Sequence, residues 1–178
     1  AKKNENMKDY VERSCKELEN KILKIGPENV CAFLAETMMG GLVGDVPPGK
    51  NYWKKIKQIC DKYDVLLILD EVWCGTGTSG RYFCFEWDDI YPDIVFMGKT
   101  LAAGYSPVSG LATRSEISNK IFNFFGSIPF STTHQGHSIG VAATLATQTL
   151  IKNKNFLNTV RDNGEYFRNT LFSELKNH

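Results

Sequence analysis

The feature that most constrains this fold is a run of five apolar residues, Val65 to Leu69, which lies between two aspartates. Such a run is too short for a free-standing helix and too uniformly apolar for a half-exposed strand. It therefore predicts a strand buried on both faces of a parallel sheet. Asp70 and Glu71 follow directly. Because ligands of open α/β sheets bind outside the carboxyl ends of the strands, these two acids stand where a ligand is expected.

Helical and extended patterns alternate along the rest of the chain. Apolar residues recur at helical spacing over residues 6–25 and 52–63, on either side of an apolar run at 30–35. A further short apolar run, 93–98, follows Pro92 and is typical of a third buried strand. This order of strand, helix and strand predicts an α/β fold.

The charge balance argues against partners that are themselves strongly charged. The chain has 21 basic and 20 acidic residues, so its field would recruit neither nucleic acid nor an anionic membrane, and small near-neutral molecules are favoured. No uninterrupted apolar run approaches the roughly 20 residues of a membrane span, and no basic-then-apolar leader is visible. We therefore expect neither a membrane segment nor a signal peptide.

The cysteines and histidines show no metal-binding pattern. The five cysteines are odd in number and include no CxxC pair, which supports neither a zinc site nor a disulfide framework. His134 and His137 have no carboxylate nearby in the sequence, so we expect no metal. A reducing, cytoplasmic setting follows. The chain opens on Ala1 and closes inside a helical pattern, and we expect it to be a piece of a longer protein.

One hypothesis for the acids at the end of the first strand is nucleotide hydrolysis. An apolar strand followed by Asp-Glu is also typical of a Walker B strand, and residues 44–51 nearly match a phosphate loop. However, Asn51 stands where a hydroxyl must bind Mg²⁺. Pro47 and Pro48 also remove two N–H donors from a loop that has to present such donors to phosphate. An ATPase of this type is therefore the weaker hypothesis.

The other hypothesis joins Asp70 to Lys99, which directly follows the apolar run 93–98. Both residues lie at the carboxyl ends of predicted strands, so they can face the same crevice. A lysine amine can condense with the aldehyde of pyridoxal phosphate, and a carboxylate can keep the pyridine nitrogen protonated, so that the ring accepts electrons. The spacing leaves two alternatives open, a structural ion pair and a surface lysine at a strand end.

A longer series of motifs surrounds these two residues. In chain order they are Leu66-Leu67-Ile68-Leu69-Asp70-Glu71-Val72, the glycines 75, 77 and 80, Pro92-Asp93-Ile94-Val95, Gly98-Lys99, Gly104-Tyr105, Pro107, and Thr133-His134-Gln135-Gly136-His137. This series resembles the centre of the class III aminotransferases, also called omega-aminotransferases, which are pyridoxal phosphate enzymes of fold type I. The resemblance extends over residues 28–150.

The resemblance implies an α/β fold with a mixed, mostly parallel sheet flanked by helices. Residues 1–178 would be the central part of the pyridoxal-phosphate-binding large domain of such an enzyme. An N-terminal segment with much of the phosphate cradle, and a C-terminal small domain, would then lie outside this chain. We therefore expect the fragment alone to be inactive. The alternative from another functional class is an inert structural and dimer-forming core.

The resemblance also implies roles for four residues. Lys99 matches the Schiff-base lysine, which moves the proton between the substrate α-carbon and the cofactor. Asp70 matches the partner of the pyridine nitrogen. Val72, two residues further along an extended strand, matches the apolar side chain that packs on the ring. Thr133 matches the threonine that reaches the phosphate bound by the neighbouring subunit, which implies a homodimer with shared active sites.

The reaction implied is ping-pong transamination, in which an amine or omega-amino acid donor passes its amino group to a keto acid acceptor. Other enzymes of the same fold type are mutases, racemases and decarboxylases, and these remain alternatives. The residues that select the donor and acceptor lie mostly outside this chain.

Several positions depart from the family pattern. Trp73 and Cys74 follow Val72, where the family often has a glutamine that can bond the 3-oxygen of the cofactor. Glu36 is followed by Thr37 and not by the usual proline, so we expect Glu36 to be structural and not catalytic.

Overall fold

The computed structural model describes residues 2–41 and 43–176. Its helices are α1 Met7–Ile25, α2 Tyr52–Lys62, α3 Ser115–Phe125, α4 Ser138–Ile151 and α5 Lys154–Leu175. Its strands are β1 Ala32–Glu36, β2 Leu66–Asp70, β3 Ile94–Met97 and β4 Gly110–Thr113. Short 3₁₀ turns span Pro27–Asn29, Cys84–Asp88 and Lys99–Leu101. The α/β class predicted from the sequence is confirmed.

The four strands form one sheet in the order β1-β2-β3-β4. The first three strands are parallel, and β4 is antiparallel to β3. In this register Glu36 lies opposite Asp70, and Asp70 lies opposite Phe96. The carboxyl ends of β1, β2 and β3 therefore meet at one edge of a mixed, mostly parallel sheet, as expected.

Helices α1 and α2 form a layer on one side of this sheet. The chain passes from β1 to β2 through α2, whose buried residues recur on one helical face. These residues join the inward side chains of α1 and of the sheet in one hydrophobic core, which includes Val11, Cys15, Ile22, Trp53, Ile56, Cys60, Leu67, Leu69 and Val95. The residues of α1 and α2 in the core follow the helical spacing that the sequence predicted.

The strands predicted to be buried on both faces are fully buried on one face only. Leu67 and Leu69 of β2 have no exposed surface, whereas Leu66 and Ile68, which point to the opposite face, are half-buried. In the neighbouring strand β1, Leu34 is 55% exposed. The uninterrupted apolar run thus marks a second face that is apolar but only partly covered within the described residues.

A buried aspartate holds β2 and β3 in register. Asp93, which is 7% exposed, accepts a hydrogen bond from the backbone N–H of Leu67 at 2.8 Å and one from Arg114 at 3.2 Å. The Lys57 ammonium lies 3.5 Å from the same carboxylate. A buried carboxylate is stable only when it is bonded and paired in this way. Because Asp93 immediately precedes β3, these contacts also determine where β3 lies relative to β2.

The last three helices carry much exposed apolar surface. Helix α4 is apolar on nearly every side, yet only Gly140, Thr147 and Ile151 are buried. Exposed aromatic residues continue along α3 and α5, including Phe124, Tyr166, Phe167 and Phe172. A helix that is apolar all round is typical of one that other protein surrounds. None of the helices in the described ranges combines the length and apolar character needed to cross a membrane.

Candidate active site

Lys99 lies at the carboxyl end of β3, at the sheet edge where β1 and β2 also end. It is exposed, and it begins the 3₁₀ turn that follows Gly98. Its backbone has φ of +43°, a left-handed conformation that L-residues rarely adopt outside turns and functional sites. The turn is closed by a hydrogen bond from the Leu101 N–H to the Gly98 carbonyl at 2.8 Å. The lysine therefore leaves the sheet in a defined direction.

Asp70 ends β2, the parallel neighbour of β3. Its Oδ1 accepts the backbone N–H of Val72 at 2.8 Å, which sets the orientation of the carboxylate. Its Oδ2 accepts no hydrogen bond from the residues that the structure describes. A half-buried carboxylate held by one oxygen keeps the other available for a cationic N–H.

Val72 lies in the turn after β2 and not on the strand itself, because β2 ends at Asp70. The prediction that Val72 continues an extended strand was therefore wrong. The structure nevertheless places Val72 next to the lysine turn. A Cβ atom on Gly98 would lie 3.1 Å from Val72 Cγ1, so the Val72 side chain packs closely on the Gly98 backbone. Asp70, Val72 and Lys99 thus form one continuous group.

Lys99 and Asp70 form no ion pair within the described part of the chain. The Lys99 ammonium instead lies over the indole of Trp73, 5.0 Å from the ring centroid. The structural Asp–Lys pair that the spacing left open is therefore wrong. The two groups face one edge of the sheet without neutralising each other.

Glu71 points away from this edge and into the protein, where only 1% of its surface is exposed. Its two oxygens accept the backbone N–H groups of Cys84 at 2.7 Å and of Phe85 at 3.1 Å. Burial is the largest influence on the carboxyl and raises the pKa of Glu71, while the hydrogen bonds that it accepts act in the opposite direction. Glu71 therefore holds the turn after β2 to the Cys84–Asp88 turn.

Replacing Glu71 with glutamine is expected to lower the free energy of unfolding at pH 7 by about 1–2 kcal/mol, because one buried N–H would face an amide NH₂. The raised pKa means that native Glu71 keeps its proton at pH values where the unfolded chain, with its ordinary pKa of 4.5, has lost it. The difference in Glu71 pKa between the native and unfolded states adds to wild-type stability. This added stability is fully present below pH 4.5 and is lost as the pH rises through the native pKa of Glu71. Urea unfolding at several pH values should therefore show a gap between wild type and variant that widens toward low pH.

Glu86→Gln is the matched control for this prediction. The Glu86 Oε1 accepts the Phe83 N–H at 3.1 Å in a capping arrangement that glutamine also supports. Its stability should stay close to that of the wild type at each pH. Equal stability of Glu71→Gln and wild type at every pH would contradict the buried bonding role of Glu71.

The loop that nearly matches a phosphate loop has another partner. Asn51 is the N-cap of α2, with φ of +63°. The N–H groups of Asn51 and Trp53 donate to the two carboxylate oxygens of Asp88, at 3.0 Å and 2.9 Å. A phosphate at this helix end would meet a carboxylate that already holds these donors. The structure thus argues against nucleotide binding at residues 44–51.

The remaining candidates lie further from Lys99 along the chain. Glu36, at the end of β1, accepts the Gly40 N–H at 2.9 Å, in keeping with the expected structural role. Thr133 lies in an exposed turn between α3 and α4 and makes no hydrogen bond with Asp70, Val72 or Lys99 among the described residues. Contacts through Gly98 and Val72 link three of the four predicted site residues, Asp70, Val72 and Lys99.

One supporting residue was missed in the sequence. Gln148 of α4 donates to the Leu101 carbonyl at 2.8 Å, and its Oε1 accepts from the Tyr82 hydroxyl at 2.6 Å. It therefore ties α4 to the turn that carries Lys99. The signal available was an amide within an otherwise small and apolar helix, which indicates a polar contact when the helix is packed.

Comparison with known proteins agrees with this fold. All of residues 1–178 match the family model described as "Aminotransferase class-III". An aminotransferase of Gibberella zeae is 39% identical over 170 residues, covering 96% of this chain and 33% of the relative. The putrescine–pyruvate aminotransferase of Pseudomonas aeruginosa is 34% identical, covering 93% of this chain and 36% of the relative. The chain thus spans about a third of the length of these curated relatives.

Solved structures give the same result at the level of the fold. An omega-aminotransferase from Paracoccus denitrificans superposes with a TM-score of 0.89 at 28% identity, over 100% of this chain and 40% of that one. The omega transaminase from Pseudomonas jessenii in complex with PMP has a TM-score of 0.79 at 34% identity, over 87% of this chain and 35% of that one. With its whole length matched by the family model and its fold shared with solved transaminases, this chain belongs to the class III aminotransferases.

Proposed function

We propose that the protein carrying this chain is a pyridoxal-phosphate-dependent aminotransferase. It moves an amino group from an amine or omega-amino acid donor to a keto acid acceptor. The observation that carries the proposal is the arrangement of Asp70 and Lys99. Asp70 ends β2 and Lys99 begins the turn after the neighbouring parallel strand β3, at one sheet edge, and the two do not pair with each other. In open α/β sheets this edge is where ligands bind.

The residues of this edge fit pyridoxal phosphate. When bound, this cofactor supplies an aldehyde and an electron-accepting ring. Lys99 offers an exposed amine for the aldehyde and, once a substrate amine replaces it there, can carry a proton to or from the substrate α-carbon. The Oδ2 of Asp70 is available to hold a protonated pyridine nitrogen. Val72 offers an apolar surface beside Gly98 for the ring.

The names of the relatives support the proposed substrate class. Gamma aminobutyrate transaminase 3 of Solanum lycopersicum is 38% identical over 159 residues, and the Pseudomonas aeruginosa relative is named for putrescine and pyruvate. Both names point to a primary amine at the end of an aliphatic chain as donor. At these identities they favour a class of donor and no individual compound.

Isotope transfer in the full-length protein tests this proposal. Purified protein saturated with pyridoxal phosphate would receive ¹⁵N-labelled 4-aminobutyrate, putrescine or alanine, with pyruvate or 2-oxoglutarate as acceptor. We expect ¹⁵N in the amino acid formed from the acceptor, measured by mass spectrometry. A donor that is racemised, rearranged or decarboxylated without transfer of ¹⁵N would favour the mutase, racemase or decarboxylase alternatives.

For the organisation of the whole protein, we propose that residues 1–178 are the central part of the cofactor-binding large domain. An N-terminal segment and a C-terminal small domain would complete it. The coverage of about a third of the curated relatives supports this division. The exposed apolar surface of α4 also supports it, because such a surface needs a protein cover. Hydrogen exchange should find α4 protected in the full-length protein and unprotected in a peptide chain limited to residues 1–178.

The same surface supports a homodimer in which Thr133 binds the phosphate group held by the partner subunit. Thr133→Ala is expected to weaken cofactor binding about tenfold, because a charged acceptor loses one hydroxyl donor. Co-expression of Lys99→Ala subunits with Thr133→Ala subunits gives hybrids in which one site keeps both residues. Titration of purified hybrids should recover about one tight site for every two subunits, whereas recovery of none would contradict shared sites.

We propose a cytoplasmic location for the protein. All five cysteines are free thiols, as suits a reducing compartment. Relatives whose names include "mitochondrial" or "chloroplastic" make organelles the competing location. Cell fractionation with an antibody to the full-length protein would decide, and recovery in an organelle fraction would contradict the proposal.

A further inference from the structure

The turn after β2 places the Trp73 indole directly beside the proposed catalytic lysine. The Lys99 ammonium lies 5.0 Å from the centroid of the ring, within the range of a cation–π contact. Trp73 is 40% exposed, so the ring lies on the open side of the sheet edge and not in the core. An ammonium held over an aromatic face samples fewer positions than a lysine that is free in solvent.

The same indole also contacts the loop that follows β1. A Cβ atom on Gly40 would lie 2.8 Å from Trp73 Cγ and 3.0 Å from Cδ1, so the loop backbone rests directly on the ring. Only glycine permits this approach without displacing the indole. The ring therefore has Lys99 and the loop backbone as neighbours.

The loop is a small closed structure over residues 39–46, described except at position 42. Met39 and Val46 form an antiparallel bridge with N···O distances of 3.0 Å and 3.3 Å. The Val43 N–H donates to the Gly40 carbonyl at 3.1 Å. These bonds make the loop a unit that can be held or released as a whole.

Asp45 connects this loop to the indole. Its carboxylate accepts the hydrogen bond of the Trp73 Nε1–H. The Asp45 backbone has φ of +59°, a left-handed conformation that aspartate tolerates better than most residues. A charged acceptor makes this a stronger bond than one between neutral groups.

We propose that Trp73 and Asp45 form a latch that holds loop 39–46 against the sheet edge, and that the latched Trp73 is a positioning residue for Lys99. This proposal rests on the proposed function, because it gives Lys99 the task of capturing the cofactor aldehyde. The latch holds the Lys99 side chain in one place before the aldehyde arrives. The ammonium first gives up its proton to water, and the neutral amine that results then attacks from a fixed position, which is faster than attack from a mobile one.

Hydrogen exchange in the cofactor-free, full-length protein tests the latch without any activity. Trp73→Phe keeps an aromatic ring and removes the N–H donor. We expect exchange of the Val43 and Val46 amides to rise about fivefold or more, since a charge-assisted bond is lost. Asp45→Asn keeps an acceptor but removes its charge, so exchange of these amides should rise less than in Trp73→Phe. Trp87→Phe is the matched control, because the Trp87 Nε1–H donates to the Ser79 carbonyl at 3.2 Å, outside the loop.

A double-mutant cycle separates the latch from backbone strain. Asp45→Ala removes the acceptor and also strains a backbone with φ of +59°, but that strain is present with either Trp73 or Phe at position 73 and cancels in the cycle. Asp45→Ala should therefore raise loop exchange severalfold less in the Trp73→Phe background than in the wild type. Equal effects in both backgrounds would overturn the latch.

The positioning role has its own readout, the rate at which a visible absorption band grows when pyridoxal phosphate is added. We expect this rate to fall about three- to tenfold in Trp73→Phe, because phenylalanine lacks the N–H that donates to Asp45. The rate should fall less in Asp45→Asn, which keeps a neutral acceptor, and should be near wild type in Trp87→Phe. If Trp73→Phe raises amide exchange in loop 39–46 but leaves the growth rate of the band unchanged, Trp73 has only a structural role and the positioning role is refuted. A wild type without any band would refute the proposed function, while the exchange experiment would still decide the latch.

Discussion

Lys99→Ala is expected to abolish transamination by the full-length protein, with a fall in kcat of at least about 10³-fold, because it removes both a nucleophile and a general base. Lys99 begins a turn at the end of β3 and has a backbone φ of +43°. The visible band of the covalently bound cofactor should vanish together with activity.

Lys50→Ala is the matched control for Lys99→Ala. Lys50 is also an exposed lysine, and it lies in the loop that nearly matches a phosphate loop. Because Asp88 already holds the N–H donors beside it, Lys50→Ala should leave both the visible band and transamination near wild type. A band that survives in Lys99→Ala would refute the assignment of the lysine. Magnesium-dependent nucleotide binding that is lost in Lys50→Ala would revive the ATPase hypothesis.

The second large effect is expected at Asp70. An uncharged amide cannot keep a pyridine nitrogen protonated, so Asp70→Asn should lower kcat by about 10²- to 10³-fold, a loss typical of removing one preorganised electrostatic contact. Asparagine can still accept the Val72 N–H with its own Oδ1, as Asp70 does at 2.8 Å. The turn after β2, and therefore the fold, should survive the substitution. Stopped-flow measurement of the reaction between the amine donor and the cofactor-loaded enzyme follows the half-reaction in which Asp70 is expected to act.

Asp64→Asn controls for the loss of an aspartate from the same segment. Asp64 is exposed, directly precedes Val65 and β2, and has φ of +55°, which asparagine also tolerates. The kcat and the thermal unfolding midpoint of the Asp64→Asn variant should match those of the wild type. An Asp70→Asn enzyme with wild-type kcat would show that Asp70 does not act on the cofactor ring. A large fall in its melting temperature would show instead that Asp70 is needed for folding.

Much of the architecture could be predicted from the order of the residues alone. The apolar run before Asp70 and the run before Lys99 are long enough to be strands, so β2 and β3 follow from local pattern, although the predicted burial of both faces does not hold. The helical spacing of residues 6–25 and 52–63 likewise corresponds to α1 and α2. These predictions succeed because burial in an α/β layer imposes a period on each segment separately.

Other features could not be predicted, because they join residues far apart in the sequence. Asp88 accepts the N–H of Asn51, which lies 37 residues earlier in the sequence. Gln148 donates to the carbonyl of Leu101, in the turn after Lys99, which lies 47 residues earlier. Val72 was predicted to continue a strand that in fact ends at Asp70. No local periodicity records such contacts. They depend on how the turns after β2 and β3 pack against other elements.

The local hydrophobic pattern is sufficient to predict an α/β protein with an acid and a lysine at the ends of two strands, because it indicates which residues are buried on folding. Three further features depend on the folded chain. Asp70 and Lys99 stay unpaired at a shared edge, Glu71 is bonded inside the protein, and Trp73 lies between Lys99 and a loop. The direction in which a side chain leaves a turn depends on the backbone angles of the turn and on contacts with residues distant in the sequence. The neighbouring residues in the sequence determine neither of these.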